Sequence, residues 1–122
     1  MKKLAWTLLL LPFLAFQCKK HNGNSLRGKV VRISCASFVL QVLNNHHIGQ
    51  DGWKDIFDNN KEYDDVITAS NNCEIPANIQ PGVIVSFRIE QPQVHNNCAI
   101  CTLYDAPPTV AFEIKDIAIL PD

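Results

Sequence analysis

The chain has 122 residues, 47% of them hydrophobic and 19% charged, with 11 basic against 12 acidic side chains and a net charge of −1 at pH 7. That balance excludes the usual nucleic-acid binder, whose phosphate contacts need a surplus of Lys and Arg gathered on one face. The length suffices for one domain with a modest core, and five cysteines in so short a chain point to an oxidising compartment.

In chain order the first element is an address. Met1-Lys2-Lys3 is basic, residues 4–16 are almost wholly apolar, and Cys18 is followed at once by Lys19-Lys20. An apolar run of about 13 residues is the length of a secretory h-region and falls short of the roughly 20 that span a bilayer. The sequence therefore predicts a lipoprotein signal peptide over residues 1–17. Cleavage before Cys18 frees an amino group for a fatty acyl chain such as palmitate, while the thiol takes a diacylglycerol. Two or three chains anchor durably, because each buried methylene contributes roughly 0.8 kcal/mol. The alternative, an ordinary secretory peptide cut elsewhere, lacks a small-x-small site that does not cross bulky residues. Gln17 and Phe16 stand where the strict lipoprotein pattern has small residues, and this relaxed form resembles the signals of Bacteroidota lipoproteins. Cleavage also removes Lys2 and Lys3, leaving 9 basic residues against 12 acidic ones.

Residues 18–25 read as the lipidated cysteine and a short polar tether, and residues 26–122 as a single domain. Five strands are predicted in it. The first covers 29–35, with Val31, Ile33 and Cys35 on one face, and the second covers 38–43, with Phe38, Leu40 and Val42 on one side. Residues 44–58 form a polar connection with Gly49 and Gly52, in which 53–57 could make one helical turn. A third strand runs over 63–70. Gln80-Pro81-Gly82 is a turn signal, with Pro pre-set for the bend and Gly free for positive φ. The fourth strand, 83–90, points Val83, Val85, Phe87 and Ile89 inward. After a long connection, 91–108, the fifth covers 109–120. Its inward set changes parity from Val110, Phe112 and Ile114 to Ile117 and Ile119, so a one-residue bulge is expected near Lys115-Asp116.

Five strands, a long last connection and the turn before the fourth strand resemble an OB-fold, a small five-stranded Greek-key barrel. The alternative is a β-sandwich of the immunoglobulin type, which needs about seven strands. If the first three strands meander, Cys35, Cys73, Cys98 and Cys101 all gather at one end. The pairing favoured on that basis is Cys35 with Cys73, stabilising by roughly 3–4 kcal/mol on chain-entropy grounds, with Cys98–Cys101 as a local ring. Crossed pairing of Cys35 with Cys98 or Cys101 stays open.

Residues 28–35 (Gly-Lys-Val-Val-Arg-Ile-Ser-Cys), Ile48-Gly49-Gln50-Asp51-Gly52-Trp53, Asn72-Cys73-Glu74-Ile75-Pro76 and Cys98-x-x-Cys101-x-x-Tyr104-x-Ala106-Pro107-Pro108 together resemble a group of small Bacteroidota lipoproteins. The resemblance covers nearly all of the chain after Cys18. It implies the cell envelope and the barrel, and carries over no site.

Chemistry-bearing residues are sparse. The CxxC at 98–101 has the spacing of a redox pair or half a zinc site, but a thioredoxin-like role needs it at a helix start after a buried strand. Here it lies in a polar, Pro-flanked loop, and Cys35 and Cys73 stand singly where a zinc site offers a second pair. His46-His47 and His95 read as solvated loop histidines, and Asp51, Asp55 and Asp58 lack calcium-loop spacing. Asp64-Asp65 point to opposite sides of a strand. No hydrolase or phosphate-loop motif occurs, so no cofactor or metal is expected and no catalytic residue is assigned. Trp53 and Tyr104 are the candidate ligand contacts, Trp53 also fitting the core. The reading is a lipid-anchored, non-catalytic binding module of the envelope membrane, facing periplasm or exterior and meeting a protein, peptide or glycan. The alternatives are a thiol–disulfide protein using the CxxC, or an inhibitor or accessory subunit of a secreted enzyme.

Overall fold

The computed structural model describes residues 25–93 and 101–121. The predicted signal peptide, Cys18, the tether up to Asn24, His95 and Cys98 lie outside them. Among the described residues seven strands form: β1 (Leu26–Ile33), β2 (Phe38–Val42), β3 (Trp53–Asp55), β4 (Lys61–Tyr63), β5 (Val66–Ala69), β6 (Ile84–Glu90) and β7 (Ala111–Ile119), with one 3-10 turn at Asn72–Glu74. Five of them close a barrel in the order β1-β2-β5-β7-β6, and β3 and β4 make a separate two-stranded sheet. β6 returns to β1, and all neighbours are antiparallel except β5 and β7, which run parallel. This is the OB-like Greek-key barrel, and the seven strands do not form a sandwich.

Alternation fills the barrel. Leu26 and Val30 from β1, Phe38, Leu40 and Val42 from β2, Ile67 and Ala69 from β5, Val85 and Phe87 from β6, and Ile114 from β7 share one core with Ile79. Val110, Phe112 and Ile117 pack against it. The phase change along β7 is met by a register shift opposite Ser86/Arg88, where Asp116 adopts φ +52°. The predicted bulge is therefore present at its predicted place. Before β6, Gly82 takes φ +92° and its N–H reaches the Val30 carbonyl at 2.7 Å, so the turn hydrogen-bonds to the bulged part of β1.

Three sequence readings are corrected. The inward residues of β1 are Leu26 and Val30; Val31 packs with Val39 and Trp53 outside the barrel, and Ile33 is 40% exposed. A bulge between Val30 and Arg32 breaks the alternation there and turns Arg32 to the side of its partner Val39, on the outer face of the barrel. Residues 53–57 are not a helical turn: Trp53–Asp55 pairs with Lys61–Tyr63 around a loop in which Asn59 and Asn60 both take positive φ, as asparagine tolerates. The predicted third strand is split at Asp64-Asp65, a corner with Asp65 at φ +59°. Gly49 packs against that corner so closely that a Cβ on it would stand 2.3 Å from the Asp65 carbonyl carbon.

Candidate functional site

The site is built outward from Arg32. The bulge after Val30 pairs it with Val39 and lays its guanidinium beneath Trp53 and Phe57, where it is 6% exposed. A buried charge is tolerated only if paired and hydrogen-bonded, and here the pairing comes from both long connections. Nη1 donates to Asp55 Oδ1 on β3 at 3.0 Å, while Nη2 donates to the Asp105 carbonyl at 2.7 Å and to Ser37 Oγ at 3.2 Å. Nη2 also lies 3.2 Å from Asp105 Oδ1. Asp105 is itself fully buried, and its Oδ2 accepts the hydroxyls of Ser37 at 2.8 Å and of Ser34. Ser34 Oγ takes the N–H groups of Ala36 and Ser37, closing the β1–β2 turn around the carboxylate.

Aromatic rings complete the setting. The Arg32 guanidinium carbon lies 4.9 Å from the Trp53 ring centroid and 5.2 Å from that of Phe57, within cation–π range of both. Trp53 Nε1 donates to the Ala106 carbonyl at 2.9 Å, and Ala106 holds φ +49°. Trp53 also covers the outer face of the barrel, forming a second small core with Val39 and Val66, flanked by Val31 and Tyr63. The β3–β4 hairpin, the β1–β2 turn and the segment 101–108 are thus joined at one barrel end.

Around this buried network stand large apolar side chains that the fold leaves in solvent. Tyr104 is 81% exposed and Phe57 58%, with Ile56, Leu103 and Ile33 at 48, 48 and 40%. Each lies within two residues of a network member along the chain. Exposed apolar side chains beside a rigid frame are candidates for contact with a partner. Trp53 is 5% exposed and packs with Val39 and Val66, the core role that its sequence also fits.

The cysteines pair differently from the favoured scheme. Cys35 is bonded to Cys101, with Cα atoms 5.8 Å apart, so neither Cys35–Cys73 nor a Cys98–Cys101 ring is formed. The reason is the Asp105 anchor: it lays the last connection across the β1–β2 turn, and Cys101, four residues earlier, meets Cys35. Cys73 is also disulfide-bonded, to a partner outside the described residues. The shared barrel end was read correctly, since Asn72 Nδ2 donates to the Cys35 carbonyl at 3.4 Å.

Arg32, Asp55, Asp105, Ser34 and Ser37 escaped the sequence reading. The side that Arg32 faces is set by a bulge the sequence does not announce, and nothing local marks Asp105, 73 residues away. The remaining candidates are taken up by local structure. Asp64 Oδ1 accepts the Gly52 N–H, and Asp51 Oδ1 that of Asp65. His46 Nδ1 sits 2.8 Å from Asp65 Oδ2; that hydrogen bond, then the charges of Asp65 and Asp51, raise its pKa above 6.5. Lys115 Nζ lies 2.6 Å from the buried Glu113 carboxylate, whose hydrogen bond holds the ammonium above its ordinary range. Among the described residues no three His, Cys, Asp or Glu side chains gather into a metal-binding group.

No protein-family model matches the chain, and no curated protein matches it.

Proposed function

We propose that this chain is a lipid-anchored cell-envelope lipoprotein whose OB-like domain is a non-catalytic binding module, with the surface at Ile33, Ile56, Phe57, Leu103 and Tyr104 as its contact face. The observation that carries the reading is the exposure of these five side chains around a frame fixed by the Arg32 network and the Cys35–Cys101 bond. A preorganised apolar surface binds without the entropic cost of ordering loops. The alternative of thiol–disulfide exchange through the CxxC is disfavoured by the commitment of Cys101 to Cys35.

Two measurements in intact cells of a bacterium that acylates the protein test it. The chain should fractionate with membranes and the Cys18→Ser variant should not. A photo-reactive p-benzoylphenylalanine in place of Tyr104 should give a discrete adduct, and the same group in place of Asp116 should not. Equal patterns from both positions, or none from 104, would overturn the contact face.

A further inference from the structure

We infer that the outward side of β1, where Arg27 and Lys29 stand, lies on the anionic headgroups of the leaflet that holds the lipid anchor. The inference rests on the lipid-anchor reading and adds to it a second contact, made by the folded domain.

Charge is divided along the chain. Residues 18–50 hold five basic side chains and no acidic one, and all 12 acidic side chains follow. The chain after Cys18 is therefore net negative as a whole, and only the part beside the anchor is drawn to an anionic surface. A leaflet rich in anionic lipid attracts Lys and Arg within about a Debye length, about 8 Å at physiological salt.

The fold brings Arg27 and Lys29 to one side of the barrel. Leu26, Gly28 and Val30 are buried while Arg27 and Lys29 are exposed, an alternation that the bulge interrupts only after Val30. Both cations thus point outward, about 7 Å apart at a rise of about 3.3 Å per residue. Their cross-strand neighbours are uncharged: Arg27 stands opposite Ser86, and Lys29 between Ile84 and Gln41. Gln41 gives its amide to the Asp64 carbonyl, and the Asp64 carboxylate accepts the Gly52 N–H.

The other cations of the domain are placed differently. Arg32, Arg88 and Lys115 are paired with carboxylates. Lys54 faces Glu62 across the hairpin, and Lys61 lies over the Tyr63 ring. Among the described residues no carboxylate forms an ion pair with Arg27 or Lys29, so lipid phosphates would supply the counter-charge that the fold does not. Reach agrees with this. Eight peptide units join Cys18 to Leu26 and span at most about 27 Å, which keeps the start of β1 close to the lipid.

The test uses the acylated protein with p-benzoylphenylalanine in place of Ser86. It is reconstituted in phosphatidylethanolamine/phosphatidylglycerol vesicles and, for comparison, in phosphatidylcholine vesicles. Flotation with both kinds checks the anchor; a chain that floats with neither overturns the lipid-anchor reading and this inference with it. Irradiation should join phospholipid to position 86 in the phosphatidylglycerol vesicles, with a yield about fivefold or more above that in phosphatidylcholine, because the attraction is electrostatic. The yield should fall by about the same factor in Arg27→Gln/Lys29→Gln, whose native circular dichroism is checked first. The same photo-reactive group in place of Lys61, on the hairpin, should give no lipid adduct. A protein that floats but forms no lipid adduct at 86, or forms it equally on neutral lipid, in the double variant or from position 61, would overturn the inference and leave the anchor standing. So would a peptide adduct in place of phospholipid at position 86 in intact cells, which would make the occupant a protein.

Discussion

Arg32 is an arginine at a position whose strand neighbours fill the core, and the fold meets that burden with two carboxylates, two hydroxyls and two rings. Removing one partner of a buried ion network costs about 3–5 kcal/mol, because charges are left without compensation. Arg32→Ala should therefore lower unfolding stability by roughly that amount in urea titrations followed by tryptophan fluorescence. Arg32→Lys should recover only part of it, since an ammonium cannot span Asp55 and Asp105 as the planar fork does. If Ala costs less than about 1 kcal/mol, the network is not what holds the hairpin. At the surface, His46 behaves as a switch of known sign. Its pKa is raised by Asp65, so its stabilising contribution is complete below about 6.5, the unfolded value, and is lost as pH rises through the folded value. NMR titration should find the His46 midpoint above 6.5 in the native chain and lower in Asp65→Asn. Unchanged midpoints would remove Asp65 as the cause.

Elements show which parts of the sequence speak for themselves. β2 and β6 were legible because Phe38, Leu40 and Val42, and Val85 and Phe87, alternate toward the core without a break, and the β7 bulge because its parity visibly breaks. β1 misled because a bulge between Val30 and Arg32 switches the side that its residues face. The β3–β4 hairpin stayed hidden because three-residue strands are too short for periodicity, and their stability comes from Trp53 and Tyr63 packing on Val39 and Val66. The seam between β5 and β7 has only two paired positions, and beyond them a side chain extends it. Asn71, 1% exposed, accepts the Ile114 N–H at 2.9 Å and donates to the Ile114 carbonyl at 2.8 Å, as a further strand residue would. Asn71→Ala leaves two buried backbone groups unpaired, each costing about 1–3 kcal/mol. A loss of about 2–4 kcal/mol in chemical denaturation, with faster amide exchange at Ile114, is the expected outcome. An unchanged Ile114 exchange rate would refute the role.

For the molecule as a whole, the topology was legible from strand count and turn chemistry, and the pairing of its ends was not. Cys35–Cys101 joins positions 66 residues apart, and such a link stabilises by about 4 kcal/mol on chain-entropy grounds. The double variant Cys35→Ser/Cys101→Ser should lose much of that in calorimetry, while the Arg32 network still places the segment 101–108. A native circular dichroism spectrum at a lowered Tm is the predicted result; an unfolded chain at 25 °C would mean that the bond, not the ion network, holds the barrel end. Connectivity could not be read because Cys35, Cys73 and Cys101 lie toward one end, and the choice among them is made by Asp105, whose partner Arg32 is remote in sequence.

The Arg32 network lies behind the apolar face rather than in it. What fixes the frame and what meets the outside are carried by different residues: Asp55, Asp105, Ser34 and Ser37 for the first, and Tyr104, Leu103 and Ile56 for the second. Substitutions in the second set touch neither the ion network nor the disulfide. Descendants of this sequence can thus change what they recognise, one exposed side chain at a time, without first losing the ability to fold.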